Sequence, residues 1–276
     1  MTSIIIPTFN REKSIYKSVS SILNQTINDI EVIVVDDGST DNTYEVISNI
    51  HDDRIVYIKT NHLGACNARN VGINLAKGEY IAFNDSDDEW FTTKLEEYLH
   101  IQRVYSPDFI CSSVLSNSER GEGVIKGLNI KSGFLKKSKT ALGCSTQTFF
   151  GKKTVFEEES FDINMPRLQD YDLMIRLKKK FNIYYYNKVL VKQYIQNDSI
   201  SMAKDKLQIS LGLIEKKYSK VDDWSYIKKD LSRFYSMLSN DANSKQEAIS
   251  FLIKSIKLNV KFKTIIKLLL VQLNLR

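Results

Sequence analysis

The sequence predicts an α/β protein with a doubly wound, mostly parallel sheet and a C-terminal helical extension. Over the first hundred residues, short β-branched runs alternate with amphipathic stretches, a spacing typical of parallel strands joined by crossover helices. From about Ser201 the apolar residues follow a helical period to the end of the chain. A length of 276 residues accommodates one large domain with a smaller appendage.

Four apolar runs in the first part of the chain are predicted to be buried strands, over residues 3–7, 30–36, 54–59 and 79–84. Between them, helical periodicity predicts helices over residues 11–25, within "GSTDNTYEVI" and over residues 65–76. Another helix is predicted over residues 92–105. The acids Asp88 and Glu89 precede it, where negative charge favours the positive end of the helix dipole.

The middle of the chain has weaker patterns. Residues 108–114 are predicted to form a strand, and "NSERGEGVIKG" a loop or hairpin tip. An amphipathic helix is predicted over residues 167–180, and two short strands within residues 183–195.

Composition places the chain among ordinary globular proteins, and its net charge of +6 is unevenly distributed. The residues after Glu247 include no acids but six bases, so the first 247 residues carry 33 bases and 33 acids. The three cysteines, Cys66, Cys111 and Cys144, are far apart, which favours free thiols in a reducing compartment. No signal peptide or membrane span is expected, so the predicted location is the cytoplasm, and no nucleic-acid partner is expected.

Three polar clusters follow the predicted strands. "PTFNR" comes after the first strand, "DDGSTD" after the second and "DSDDEW" after the fourth. Because ligands of such sheets bind at the carboxyl ends of the strands, we expect these clusters to share one crevice.

Each cluster allows a functional and a structural interpretation. The pair Asp85 and Asp87 could bind a hard divalent cation, or serve only as acids before a helix. Asp36 and Asp37 could accept a hydrogen bond from a base or ribose, or simply close a turn at Gly38.

Two further positions have the same ambiguity. Arg69 could meet a diphosphate, or be a surface charge. Either Asp170 or Asp172 could be a general base, although acids are also favourable in the first turn of a helix.

The sequence has no phosphate-binding P-loop, no Gly-x-Gly-x-x-Gly after the first strand and no Gly-x-Ser-x-Gly elbow. The enzyme classes that depend on these motifs are therefore disfavoured.

Taken together, the sequence resembles the inverting family 2 glycosyltransferases of bacterial surface polysaccharide synthesis, such as capsule and exopolysaccharide. The matching segments are "SIIIPTFNREKSIYKSVSSILNQT", "IEVIVVDDGSTD", "GACNARNVGINLAKGEYIAFNDSDD" and "LQDYDLMIRL". The resemblance implies a GT-A, Rossmann-like catalytic domain over residues 1–200. Its nucleotide-binding half would be residues 1–105 and its acceptor and sugar half residues 106–200, followed by a helical region over 201–276.

The resemblance also implies roles for individual residues. Those assigned to the nucleotide pocket are Pro7, Thr8, Phe9, Asn10, Asp36, Asp37, Gly38, Arg69, Asp85 and Ser86. Asp87, together with Asp85, corresponds to the ligands of Mn²⁺ or Mg²⁺, and Asp170 to the catalytic base. The implied reaction moves a hexosyl or N-acetylhexosaminyl group from a nucleoside-diphosphate sugar, with UDP favoured, to a hydroxyl of a glycan or lipid-linked acceptor.

Two positions depart from the family pattern. The family often has Glu-Asp at the base, whereas this chain has Gln169 before Asp170. The family often has Arg or His before a Ser-x-Ser, whereas "YIQNDSIS" offers Tyr194, Gln196 and Asn197. The second departure removes an expected cation near the leaving diphosphate.

Other functions remain open at this point. A sugar nucleotidyltransferase would combine the same sheet with acidic metal ligands, although "PTFNR" is poor in the glycine such enzymes need. A non-catalytic, nucleotide-sugar-binding subunit of a synthesis complex is the second alternative. The basic tail, residues 250–276, is predicted to lie on an anionic leaflet at the inner face of the plasma membrane. Its alternative is a terminal helix packed on the body.

Overall fold

The computed structural model describes residues 1–117, 123–135, 144–195, 203–221 and 224–273. These residues divide into two compact units, one formed by the residues up to Ile195 and the other by the residues from Ala203 onwards. The first unit is built on a mixed sheet with helices, and the second is helical.

Ten strands of the described residues belong to the first unit. They are β1 (Thr2–Thr8), β2 (Ile30–Asp36), β3 (Ile55–Lys59), β4 (Tyr80–Phe83), β5 (Glu89–Trp90), β6 (Phe109–Asn117), β7 (Gly123–Lys126), β8 (Gly133–Phe134), β9 (Phe150–Lys152) and β10 (Ile183–Tyr194). Its helices are α1 (Ile15–Leu23), α2 (Thr43–Ser48), α3 (Ala65–Leu75), α4 (Lys94–Tyr105), α5 (Lys153–Glu158) and α6 (Gln169–Lys180), with a 3₁₀ turn at Thr146–Thr148.

The strands form one mostly parallel sheet in the order β3-β2-β1-β4-β9-β6-β10-β5, with β7 added to β6 and β8 to β10. Strands β3, β2, β1 and β4 are parallel, as are β6 and β10. Strand β9 is antiparallel to both β4 and β6, so the two parallel groups run in the same direction. The predicted doubly wound α/β class is confirmed, and so are its first four strands.

Helices cover both faces of this sheet, which explains why β1 and β2 are buried along their whole length and mostly apolar. On one face, Ile4 and Val32 join a core with Val19 of α1. On the other face α3 lies so close that a Cβ on Gly72 would be 2.4 Å from Cγ2 of Ile5.

All three cysteines are buried free thiols, as the sequence predicted.

The region around β10 differs from the sequence prediction. Residues 183–194 form one strand rather than two, because the pairing with β6 continues through register shifts around Val189. The hairpin predicted near residue 120 is present as antiparallel β6 and β7, and its tip, residues 118–122, lies outside the described residues.

The prediction that Asp88 and Glu89 are helix-start acids was wrong. Glu89 lies in β5, which pairs with β10, and α4 begins only at Lys94. Asp88 is buried, and its Oδ1 accepts a hydrogen bond from the backbone N–H of Tyr194 (3.0 Å). Pairing with a strand distant in sequence therefore decides the structure here, and no local pattern signals it.

The second unit contains α7 (Lys204–Tyr218), α8 (Trp224–Leu238), α9 (Lys245–Leu258) and α10 (Phe262–Gln272). Leu252 of α9 and Val271 of α10 share a small apolar cluster, and Ser232 of α8 contacts Ser255 of α9 through their hydroxyl groups (3.0 Å). In the part of the chain that the structure describes, no helix has the length and apolar character that a bilayer crossing requires.

Candidate active site

The loops after β1 and β2 are tied together at the carboxyl edge of the sheet. The backbone N–H of Asn10 donates to Ser39 Oγ (2.8 Å), and Asn10 Oδ1 accepts from the backbone N–H of Thr40 (2.9 Å). The backbone N–H of Asp37 donates to the carbonyl of Thr8 (2.8 Å). The segments "PTFN" and "DDGST" are therefore neighbours in space, as the crevice rule predicts.

Asp36 is a buried carboxylate that the fold already uses. Its Oδ1 accepts from the backbone N–H of Ser39 (2.7 Å), and its Oδ2 accepts from the hydroxyl of Tyr57 on β3. Burial, followed by this contact with Asp36, raises the pKa of Tyr57. These bonds hold the turn after β2, and the sequence contained no signal for the tyrosine.

Asp37 organises the loop that follows β3. Its Oδ1 accepts from the backbone N–H of Leu63 (2.7 Å), and its Oδ2 from that of Gly64 (2.8 Å). Gly38 has a φ of +87°, and a Cβ there would lie 3.2 Å from the backbone nitrogen of His62. The turn and the loop thus fit closely only because residue 38 is glycine.

The same loop presents His62 beside Phe9. The two rings are 4.2 Å apart at their centroids, and His62 Nδ1 is 3.0 Å from the carbonyl oxygen of Asp37. Both side chains are exposed, Phe9 by 38%. Sequence reasoning found Phe9 but missed His62, because the histidine reaches the crevice only through the loop that Asp37 holds.

The acidic turn after β4 is closed by a hydrogen bond from the backbone N–H of Asp88 to the carbonyl of Asp85 (3.1 Å). That carbonyl also accepts from the hydroxyl of Ser18 on α1 (3.1 Å). Ser86 is buried, whereas Asp85 and Asp87 are half-buried. The turn therefore leaves its first and third residues partly exposed and buries its second and fourth.

Beneath this turn, two ionisable side chains are buried, Asp88 and Lys94. Burial, then the charges of Asp85 and Asp87, raise the pKa of Asp88 well above its ordinary value. Burial likewise lowers the pKa of Lys94, whose Nζ donates to the carbonyl of Gln147 (2.6 Å) and lies 3.5 Å from the ring centroid of Trp90. Sequence reasoning missed Lys94 and Gln147, which have no distinguishing local pattern.

Arg69 of α3 connects the acidic turn to the start of α6. Its Nη2 donates to Asp85 Oδ1 and its Nη1 to Gln169 Oε1, both at 2.8 Å. The residue is only 6% exposed, and its guanidinium lies 5.3 Å from the ring centroid of Phe161. Arg69 is therefore a buried link within the crevice, and its interpretation as a surface charge was wrong.

Asp170 follows Gln169 directly and is half-buried. Burial of its carboxyl group raises its pKa to about 6; the backbone N–H of Tyr171 and the charge of Arg69 oppose this shift, and Asp85 adds to it. Asp172, the other carboxylate considered for a base, is buried and contacts Arg176 Nε (3.1 Å). Asp170 therefore combines partial exposure with a raised pKa, as is typical of a general base at neutral pH, whereas Asp172 is buried beside Arg176.

The structure thus brings Arg69, Asp85 and Asp170 together. No group of three or more His, Cys, Asp or Glu side chains suited to a metal is present among the described residues. Tyr194 contributes its backbone N–H to Asp88, while Gln196 and Asn197 lie outside the described residues.

Comparison with known proteins decides the family. The sequence model of glycosyl transferase family 2 matches residues 3–163, more than half of the chain. The chain belongs to glycosyl transferase family 2. The matched range includes the three strand-end loops and Arg69, and it ends before Gln169 and Asp170.

Two relatives in Escherichia coli are named UDP-Glc:alpha-D-GlcNAc-diphosphoundecaprenol beta-1,3-glucosyltransferases. This family 2 chain is 43% identical to WfaP over 129 residues, or 42% of the chain and 51% of WfaP. It is 30% identical to WfgD over 245 residues, or 87% of the chain and 91% of WfgD. The chain spans about half the length of WfaP and 31% of the length of a glycosyltransferase of Rickettsia bellii.

Among solved structures, the fold is similar to that of Staphylococcus aureus TarS, residues 1–349, in complex with UDP-GlcNAc. The TM-score is 0.74 at 20% sequence identity, over 95% of this chain and 82% of the TarS chain. At this identity the similarity concerns the fold, and it agrees with the GT-A architecture expected of a family 2 member.

We expect Asp37→Asn to loosen the loop after β3. An amide at residue 37 would direct its own N–H donors at the backbone N–H of Leu63 or Gly64, so one of the two hydrogen bonds would be lost, at a cost of about 0.5–1.5 kcal/mol. Amide hydrogen exchange at Leu63 and Gly64 should accelerate. The control Asp41→Asn, which changes a neighbouring loop acid with no bond to this segment, should leave those two amides unchanged. Equal protection in Asp37→Asn and wild type would contradict the expectation.

Proposed function

We propose that this protein is an inverting glycosyltransferase that moves a sugar from a nucleoside-diphosphate sugar to a hydroxyl group of a glycan or lipid-linked acceptor. The observation that carries the proposal is the link from Asp85 through Arg69 to the start of α6, beside the raised-pKa carboxylate of Asp170. The relatives named as glucosyltransferases support the same reaction class.

We propose a UDP-sugar as the donor, bound in the half of the catalytic domain formed by residues 1–105. Its nucleoside would meet Pro7, Thr8, Phe9 and Asn10 on one side and Gly38 on the other. Asp36 and Asp37 would shape this pocket through the loops they hold, and Ser86 and Asp85 would lie towards the ribose. The relatives named for UDP-Glc and the similarity to a UDP-GlcNAc complex support this choice.

We propose that residues 106–200 supply the sugar and acceptor side, with Asp170 as the catalytic base. Asp170 would take the proton of the acceptor hydroxyl as that oxygen attacks the anomeric carbon. The attack comes from the face opposite the diphosphate, and the bond between the anomeric carbon and the diphosphate oxygen breaks. Nucleoside diphosphate then leaves with the bonding electrons. Arg69, with its positive charge near Asp85, would face the donor side of this crevice.

A divalent cation suits the acidic turn. After burial, the charges of Asp85 and Asp87 raise the pKa of Asp88, so negative charge accumulates here that a cation would relieve. Carboxylate oxygens are suitable ligands for Mn²⁺ and Mg²⁺. We propose Asp87, with Asp85, as the residues that hold the ion. When bound, it would stabilise the charge of the departing diphosphate.

Asp170→Asn and Asp87→Ala should both abolish turnover, but for different reasons. Loss of a general base typically costs on the order of 10² to 10⁴ in rate. Asp170→Asn should nevertheless retain UDP affinity, because the proposed base acts on the acceptor hydroxyl. Asp87→Ala should lose the Mn²⁺-dependent part of that affinity. Calorimetric titration of UDP with Mn²⁺ and with EDTA, together with UDP release from a panel of UDP-sugars, measures both effects.

Asp205→Asn, an exposed acid on α7, serves as the control for this pair and should behave as wild type. Equal UDP affinity of the wild type with Mn²⁺ and with EDTA would contradict the metal role. Turnover of Asp170→Asn near the wild-type rate would contradict the base.

The pH profile should have an acidic limb near pH 6. The proposed base acts only when ionised, and the folded protein raises the pKa of Asp170 to about 6. Activity should therefore be lost as pH falls through 6, well above the range of an ordinary aspartate. The measurement is kcat/KM against pH at two saturating Mn²⁺ concentrations, between which the limb should not move. A limb centred below pH 5 would argue against Asp170.

We also propose that the second unit docks on an anionic membrane surface through α10. Its exposed apolar residues form a single stripe at helical spacing: Phe262, Ile266, Leu269, Leu270 and Leu273. Lys257 and Lys263 are exposed close by in sequence, whereas the Nζ of Lys267 donates to the carbonyl of Ser236. Apolar burial combined with lysine attraction is typical of helices that lie in an anionic interface.

Replacing Phe262, Leu269 and Leu273 together by serine should weaken binding to anionic liposomes more than tenfold. Each large apolar side chain contributes about 1.5–3 kcal/mol when it is fully buried. Cosedimentation with phosphatidylglycerol-containing vesicles measures the change. The matched control is Ile209→Ser, which removes another exposed apolar residue of the same unit. Undiminished binding of the triple variant, or equal wild-type binding to neutral vesicles, would refute the docking surface.

A further inference from the structure

We propose that Gln169 is a positioning residue for the transfer reaction. It would hold the Arg69 guanidinium so that Asp85 on the donor side and Asp170 on the acceptor side keep a fixed separation. The inference rests on the proposed function, because it gives Gln169 a part in that reaction. It concerns the position at which this chain departs from the Glu-Asp pattern of its family.

Both ends of the Gln169 amide are in use. Its Oε1 accepts from Arg69 Nη1 (2.8 Å), and its Nε2 donates to the backbone carbonyl of Met165 (3.2 Å). The orientation of the amide is determined, because arginine offers only donors and a carbonyl only accepts. Gln169 is thus fixed at two points at the first residue of α6, and Asp170 is its immediate neighbour.

Arg69 depends on this contact for its own orientation. It is buried, its Nε has no hydrogen-bond partner, and its two terminal nitrogens donate to Asp85 and Gln169. Removing the Gln169 acceptor would leave a second buried guanidinium nitrogen without this partner. A buried unpaired donor is costly, so the guanidinium would turn towards another acceptor. The position of Asp85 would then change with it.

A glutamine matches these surroundings better than the glutamate of the family pattern. A glutamate would still accept from Arg69, but its second oxygen would face the carbonyl oxygen of Met165, where two acceptors repel each other. The neutral amide also adds no negative charge beside Asp85 and Asp170. The bond to Met165 therefore explains why a neutral side chain works at this position in this chain.

The experiment compares Gln169→Met, Gln169→Glu and the control Gln102→Met. Methionine has a similar length but cannot replace the amide acceptor, whereas glutamate keeps the contact with Arg69. Gln102 is a buried glutamine of α4 whose Oε1 has no partner. The measurements are kcat and KM with the most active UDP-sugar, the UDP dissociation constant with Mn²⁺, and thermal stability.

We expect Gln169→Met to lower kcat by on the order of 10², because small misplacements of reacting groups cost about this much. The loss in kcat should exceed any rise in the UDP dissociation constant or in the donor KM, because Gln169 does not touch the donor and acts only through Arg69 and Asp85. Gln169→Glu should restore kcat to within about tenfold of wild type, because a carboxylate is a strong acceptor for arginine. Gln102→Met should match wild type in every kinetic parameter.

Crystal structures of the variants give a readout that does not depend on transfer. The contact between Arg69 and Asp85 should persist in Gln169→Glu and be lost in Gln169→Met. Its persistence in Gln169→Met, or a wild-type kcat in that variant, would overturn the proposal. A rise in KM at constant kcat, or a Gln169→Glu variant as impaired as Gln169→Met, would also overturn it. By contrast, an Asp170→Asn variant with normal turnover would refute the proposed function itself.

Discussion

The buried Arg69 guanidinium is the interaction on which the rest of the crevice depends. It joins three elements that lie far apart in sequence: α3, the turn after β4 and the first residue of α6. A buried guanidinium is costly unless its charge is paired and its donors find acceptors. Because Arg69 Nε has no partner, the bonds from its two terminal nitrogens to Asp85 and Gln169 matter for the fold as well as for any chemistry. As a result, the Arg69 guanidinium is fixed between the carboxylates of Asp85 and Asp170, and the proposed reaction depends on this arrangement.

The loops after β2 and β3 follow a related principle. Asp36 and Asp37 are buried, and their carboxylates hold the turn after β2 and the loop after β3 through backbone N–H groups. Phe9 and His62 are exposed in this part of the crevice, and their rings are in contact. Adjacent acids at a strand end can therefore form a pocket wall by organising loops, in addition to any direct contact with a ligand.

The accuracy of the sequence predictions follows the range of the interactions involved. The strands β1 to β4 were predicted correctly, because continuous β-branched runs between amphipathic helices specify buried parallel strands from local pattern. Strand β5 and the undivided β10 were not predicted, because they depend on pairings between residues that lie far apart in the sequence: Trp90 pairs with Val191, and Phe109 pairs with Ile183. For the same reason Asp88 was misread as a helix-start acid, although its carboxylate is bonded to β10.

The sequence by itself determined the fold class, the crevice at the carboxyl ends of the strands and the resemblance to family 2 glycosyltransferases. These depend on periodicity and on motifs of contiguous residues. Only the tertiary structure decided that Arg69 is buried. It also decided that Asp172 accepts a hydrogen bond from Arg176, and that both the oxygen and the nitrogen of the Gln169 amide are hydrogen-bonded. Hydrogen-bond partners and desolvation depend on which distant segments meet, and a local pattern does not contain that information.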